Sequence, residues 1–242
     1  MTSARAWLFT LAAVVGIAVT GALGQWQIGR AAQKLALQSA IQERNALAAL
    51  PQAALLGDAG RVVNADLVHR PIVLRGTWVA RHTVFLDNRQ MLGRPGFYVV
   101  TPLQLEGSDR AVLVQRGWAP RNFLEREKLP PVQTPPGTVE LRGRIAPAPA
   151  KLYEFEDAGA GPIRQNLDLD RFAAETGLAL LPGSVQQTGG PSEGLVRDWP
   201  QPATGVEKHY GYAFQWWALC ALIALLYVWF QFIAPRRRTP RA

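Results

Sequence analysis

The sequence predicts a membrane-anchored α+β protein in which two transmembrane helices flank a β-rich, barrel-like periplasmic domain. Three observations predict it. Two uncharged apolar runs, Ala6–Gly24 and Tyr210–Ala234, lie near the two ends of the 242-residue chain. Basic residues stand outside both runs, at Arg5 and at Arg236, Arg237, Arg238 and Arg241. Between them, short β-type runs alternate with Gly/Pro turn punctuation and only one well-signalled helix.

The first run holds nineteen residues without a charge. Its short basic leader and the small residues Gly21-Ala22-Leu23-Gly24 also suit a secretory signal. A retained anchor is favoured because the run is long for a signal core. The helical pattern also continues through Gln25-Trp26-Gln27 and Arg30-Ala31-Ala32-Gln33-Lys34-Leu35, with no breaker before Pro51. Span 6–24, with its helix continuing to about 48, is therefore followed by a β-rich domain over 49–206. Ala12, Gly16, Thr20 and Gly24 form a small-residue stripe at four-residue spacing, along which a second helix can approach closely.

Residues 45–66 read as a short helix and a loop around Pro51, Gly57 and Gly60. Strands are predicted at Pro71–Val79, Thr83–Asp87, Gly96–Leu103, Ala111–Trp118 and Thr138–Ile145, the third and fourth joined by the turn Glu106-Gly107-Ser108-Asp109. Arg75-Gly76, Arg116-Gly117 and Arg142-Gly143 place a glycine late in three strands, as bulges or bends that curl a sheet towards a barrel. Asp168 caps a helix over Leu169–Thr176 that Gly177 stops, and a strand around Leu180–Gln187 follows. The Gly/Pro-rich stretch from Gly189 to Gly205 leads to the second span.

That span, 210–234, is twenty-five residues long, roughly 37 Å of helix and enough to cross a ~30 Å hydrocarbon core. Glu207-Lys208-His209 precedes it and the basic tail 235–242 closes it. With positive residues beyond the outer end of each span, both termini belong in the cytoplasm and the domain on the opposite side. No Arg- and Ser-rich presequence precedes the first span, so a bacterial inner membrane is the expected setting, the protein being multi-pass.

Net charge +8 does not mark a nucleic-acid binder, because five of the arginines lie at the two ends and no basic stripe runs through the domain. Cys220 is the only cysteine and sits within an apolar run, so the domain holds neither disulfide nor thiolate nucleophile. His69, His82 and His209 have no metal-ligand spacing, and no Gly-x-Ser-x-Gly or phosphate loop occurs. Arg89, Arg94 and Arg116 are cations that either gather at one barrel end to meet carboxylates of a ligand or partner or are individually solvated or paired. Asp87, Glu154, Glu156 and Asp157 offer carboxylates with no argument for a catalytic pair. The chain is not expected to be an enzyme.

The second span begins unusually. His209 is followed by Tyr210, Tyr212, Phe214, Trp216 and Trp217. On a helix His209, Ala213, Trp216 and Cys220 share one face, with Tyr212 beside them. An interfacial aromatic belt accounts for this without any ligand. A metalloporphyrin would use the same imidazole, the small residue next to it and the flat aromatics.

The order of motifs resembles the surfeit-locus (Surf/Shy) family of cytochrome c oxidase assembly factors. It includes Leu23-Gly24-Gln25-Trp26-Gln27 with Arg30 and Lys34, then Arg75-Gly76, Asn88-Arg89, Gly93 and Pro95-Gly96. It continues through Val99-Val100-Thr101-Pro102-Leu103, Val114–Arg121 and Gly189-Gly190-Pro191, and closes with His209–Trp216. Where that family often has Asn just ahead of the histidine, this chain has Glu207-Lys208.

The resemblance implies a respiratory-chain biogenesis role: a chaperone that transiently binds haem a and assists its delivery or insertion into subunit I of a haem-copper oxidase. Subunit I, the lipid bilayer and the haem a synthesis machinery are the implied partners, and nucleic acid is not among them. The implied axial ligand, and so the metal-binding residue, is His209, with Glu207 to orient its other nitrogen. Trp26, Tyr212 and Trp216 would pack on the ring in a partly exposed pocket between the spans, and Lys208 and Arg30 would meet the propionates. The rival is a haem-independent scaffold that holds subunit I through the β-domain and the stripe of the first span.

Overall fold

A computed structural model describes residues 3–57, 63–125, 128–153, 161–200 and 205–234. The basic tail 235–242, the carboxylates Glu154, Glu156 and Asp157, Gly60 in the first loop and part of the 189–205 return lie outside the described residues. The chain divides into two compact units, one of residues 1–40 and 202–242, the other of Ile41–Gln201.

The first unit is a helix pair. Helix α1 runs Ser3–Ala46, its last turns belonging to the second unit. Its partner, α4, runs Val206–Val228 and ends in a π-helical turn, Trp229–Ile233. Both are long and apolar enough to cross a membrane. Thr10 Oγ1 meets the Tyr227 hydroxyl at 3.0 Å, Cys220 Sγ donates to Ile17 O at 3.6 Å, and His209 meets Gln27, so the two helices run antiparallel. Outward faces carry Trp7, Leu8, Phe9, Phe214 and Leu225, all exposed, as lipid contact requires.

The small-residue stripe is the seam of this pair. A side chain on Gly16 would press on Ile223, and a methyl on Gly24 would overlap the Trp217 indole nitrogen. Thr20, buried between them, returns its hydroxyl to Gly16 O at 2.6 Å, so its polarity is spent within its own helix. Close backbone approach with dispersion contact is what holds helices together in lipid, where apolar burial drives nothing. Gly24→Leu is therefore expected to destabilise the pair by about 1–3 kcal/mol. Gly29→Leu, where a Cβ meets nothing, is expected to be neutral. Unfolding in detergent, followed by tryptophan emission, compares them.

The second unit is built on strands. In chain order these are β1 (Leu50–Pro51), β2 (Pro71–Trp78), β3 (Val84–Met91), β4 (Arg94–Leu105), β5 (Arg110–Pro120), β6 (Thr138–Ala146), β7 (Ile163–Arg164), β8 (Ala179–Leu180) and β9 (Ser184–Gln187). Helix α2 (Ala53–Leu56) follows β1, and α3 (Leu169–Thr176) follows β7. Strand β2 pairs with β6 along Pro71–Thr77 and with β4 along Gly76–Trp78, which closes a five-stranded barrel β2-β6-β9-β5-β4. Its interior holds Ile72, Leu74, Leu103, Val112, Val114, Leu141, Ile145 and Val185. Strand β3 lies outside on β4, and Phe172 of α3 packs with Val84, Leu86 and Leu113 over the outer face. Strand β5 is thus buried on both sides.

The three Arg-Gly glycines do different work. Gly117 lies at a register shift between β4 and β5, a bulge as expected. Gly76 and Gly143 are instead close-approach positions: a Cβ on the first would strike Gln104 O, and on the second Val185 and Gln186 O. Both sit where β2 turns from β6 to β4 and where β6 meets β9, so closure of the barrel excludes a side chain. The end predicted for the second strand, Asp87, proved too early, since β3 continues to Met91 and turns directly into β4. The predicted strand Leu180–Gln187 is two pieces, β8 and β9, both pairing with β5. Helix α3 has the bounds and caps read from sequence: Asp168 Oδ1 accepts from Arg171 N at 3.2 Å, and Gly177 is left-handed at φ 69°.

Candidate functional site

Arg116 is fully buried at one end of the barrel interior, its guanidinium 4.6 Å over the Trp78 ring. It donates to Thr134 Oγ1 at 2.7 Å and to Gln133 O at 2.6 Å, and pairs with Glu193 at 3.0 Å. Arg197 shares the same Glu193 oxygen at 3.0 Å and donates Nε to Arg116 O at 2.8 Å. Burial lowers the Arg197 pKa and the Glu193 charge opposes that. Two guanidiniums and one carboxylate, each held by backbone, make a structural plug.

Arg89 lies apart from that plug, buried by β3 against the Tyr98 ring and donating to Gln165 O at 2.9 Å. Arg94 is exposed, so the three arginines do not gather. Asp87 is bound by Arg121 at 3.3 Å. A cavity of about 450 Å³ is walled by Trp78, Val79, Ala80 and Leu178, with Arg81 and Gln104 at its polar points. It holds no acid–base pair. His69 and His82 are separate, and among the described residues no three His, Cys, Asp or Glu side chains cluster as a metal site. Burial, then Arg144 and Arg44, lower the pKa of His69, which suits a neutral satisfied histidine.

The helix pair contains a different arrangement. His209 is half-buried in the first turn of α4, and its Nδ1 lies 2.6 Å from Gln27 Oε1 of α1. The amide oxygen only accepts, so Nδ1–H donates, and in the neutral ring the lone pair lies on Nε2. No described residue bonds Nε2. An imidazole whose one nitrogen is tied to a carbonyl-type acceptor, fixing tautomer and ring direction, is the form in which histidine binds a metal.

The orienting acceptor expected from sequence was Glu207, and the structure replaces it with Gln27. The reason is helical phase: residues two apart on a helix point to different sides, so Glu207 is exposed while His209 faces α1. Gln27 carried no local signal beyond its place at the polar exit of the first span. A partner 182 residues away cannot be found by spacing.

The face His209-Ala213-Trp216-Cys220 is also not an open surface. Ala213 is buried and Cys220 bonds to α1, so below His209 this face is the helix seam. Trp216 is half-buried on it, whereas Tyr212 of the same helix and Trp26 of α1 are exposed, at 52% and 57%. Lys208 is exposed, and Arg30 reaches Gln33 Oε1 at 3.1 Å. Lys34, read earlier only as part of a motif, is half-buried with Nζ beside Gly205 at the start of α4. Gln27→Leu should leave the fold intact but free the ring. If His209 serves as a ligand, metalloporphyrin affinity should fall about 10–100-fold, measurable by haem titration.

Two helices long and apolar enough to cross a membrane, flanking a β-rich domain with a five-stranded barrel, define a membrane-anchored barrel protein. Comparison with known proteins gives the family. The SURF1 family profile matches residues 14–221, a range that includes both Gln27 and His209. Surfeit locus protein 1 of Rattus norvegicus is 29% identical over 237 residues, covering 90% of this chain and 72% of the rat protein. The SURF1-like protein of Drosophila melanogaster is 27% identical, covering 90% and 75%. Surfeit locus protein 1 of Homo sapiens is 27% identical, covering 86% and 72%. The chain belongs to the SURF1 family, a family of oxidase assembly factors.

Proposed function

We propose that this protein binds haem a through His209 and assists its delivery or insertion into subunit I of a cytochrome c oxidase, without catalysing a reaction itself. The observation that carries the reading is the Gln27–His209 hydrogen bond, which leaves Nε2 free and aims the ring. The residues around it fit such a group. Trp26 and Tyr212 offer exposed aromatic surface, and Trp216 flanks the seam. Lys34, Lys208 and Arg30 supply cations for propionates, Lys34 being the one drawn in towards α4. Bound haem a brings an iron that takes an axial imidazole and an apolar tail that favours lipid. The chain's own part is to hold, orient and release it, and the open sides of Tyr212 and Trp26 suit release.

The rival scaffold reading loses one of its two surfaces, because the small-residue stripe of the first span is occupied by α4. In this proposal the protein sits in a bacterial inner membrane with the β-domain in the periplasm and both termini in the cytoplasm, following the positive ends of the sequence. The test is an optical and pyridine-haemochrome spectrum of the detergent-purified full chain, co-expressed with haem a synthesis. Haem a at near one per chain is expected. A folded, haem-free protein under these conditions would rule out direct cofactor handling.

A further inference from the structure

Three arginines are buried among the described residues, Arg89, Arg116 and Arg164, at 6%, 0% and 8% exposure. Two of them meet a carboxylate of this chain. Arg116 pairs with Glu193 at 3.0 Å, and Arg164 Nη1 donates to Glu175 Oε2 at 2.8 Å. Arg89 meets none among the described residues. Its Nη2 donates to Gln165 O at 2.9 Å, its guanidinium lies 5.8 Å from the Tyr98 ring centroid, and its Nε is enclosed without a partner. The carboxylate nearest in sequence, Asp87, is held by Arg121 at 3.3 Å. Burial lowers the Arg89 pKa, and only Tyr98 opposes that effect.

The backbone is shaped to place this charge. Strand β3 pairs Leu86 with Tyr98 but Arg89 with Gly96, so it holds one residue more than β4 there, a bulge in which Asn88 is left-handed at φ 59°. The extra residue resets the alternation. Leu86 is buried, then Arg89 and Met91, where an unbroken strand would bury Asn88 and Gln90. A buried cation without a counter-charge is expensive, and a bulge that turns one inward marks a binding position. We infer that Arg89 anchors a carboxylate-binding site, taking one carboxylate beside the Tyr98 ring. The ligand class follows the chain's own pairing, since both other buried guanidiniums are met by glutamates and one cation balances one negative charge. Nη1, which no described residue binds, is the donor left for it. The site lies wholly within the β-domain and does not rest on haem binding.

The test is calorimetry of the 242-residue chain in detergent, with sodium acetate or, at equal ionic strength, sodium chloride. Acetate at ~100 mM is expected to raise the β-domain midpoint by about 3 °C over chloride. Arg89→Met, which keeps the apolar stem without the charge, should lose this rise. In chloride its midpoint should stay within about 2 °C of wild type, because replacing a buried charge with an apolar group costs little. No rise in the wild type, or an equal rise in Arg89→Met, overturns the inference. So does a fall of about 10 °C for Arg89→Met in chloride, which would make the guanidinium part of the fold. If Arg89→Met does not fold, Arg89→Lys decides: it keeps the charge but not the fork, and its rise should be at most about half that of wild type. A full rise there overturns the site. A blocked Gly-Glu-Gly tripeptide identifies the source of the carboxylate. A rise larger than acetate's supports the site with a partner's acidic side chain as ligand, and a smaller one supports it with a free small acid.

Discussion

Under the proposed function, haem a bound by the 242-residue chain is expected to vanish in His209→Ala, with the β-domain unfolding at an unchanged temperature. The imidazole is the one described nitrogen ligand on the helix pair, and its loss removes the axial bond and leaves only aromatic and ionic contacts. Those contacts are weak for a ligand whose apolar body is equally content in lipid, so occupancy should drop well over tenfold, not by a fraction. Gln27→Leu should fall between wild type and His209→Ala, because the ligand atom survives and only its orientation is lost. Absorption spectra of the three proteins, purified side by side and normalised to protein, make the comparison. Haem retained in His209→Ala would move the ligand elsewhere, with His69 and His82 next to examine. An intact oxidase in cells carrying His209→Ala would instead favour the scaffold.

The second large effect is on folding. Glu193→Ala should cost the barrel about 3–5 kcal/mol, the usual result of removing one member of a buried ion pair. Arg116, buried against Trp78 and Thr134, and Arg197 beside it would be left with no counter-charge, and Arg116 cannot reach water. For a domain of this size the thermal midpoint should fall on the order of 10 °C. Glu193→Gln keeps an acceptor oxygen and should lose less. Calorimetry on the detergent-solubilised chain measures both. A midpoint shift below a degree or two for Glu193→Ala would show that the plug does not close the barrel.

What the sequence made legible was what local rules govern. Helix α3 was readable end to end because its start and stop signals, Asp168 and Gly177, lie within the helix's own turns. The β4–β5 hairpin was readable because Gly107 sits between two β-rich runs. Gly76 and Gly143 were legible as special positions, but the atoms that forbid a side chain there, on Gln104, Val185 and Gln186, belong to other strands. The fates of Arg89, Arg94 and Arg116 were unreadable for a related reason. Alternation separates inside from outside only when one face is wet, and β5 is buried on both. For the candidate site, His209 and its aromatic neighbours were visible, but the amide that orients the ring comes from the other end of the chain. Below His209 the face it shares with Ala213 and Cys220 is the seam with α1.

That distance along the chain has a consequence for biosynthesis. Gln27 is made 182 residues ahead of His209, so the hydrogen bond that sets the imidazole cannot form until α4 has been translated and inserted. A chain that stalls between them has the first helix and, once past Gln187, the barrel strands as well, but no His209 for Gln27 to orient. A protein that handles a reactive, poorly soluble pigment would gain from this: incomplete copies could not capture a cargo that they had no means of passing on.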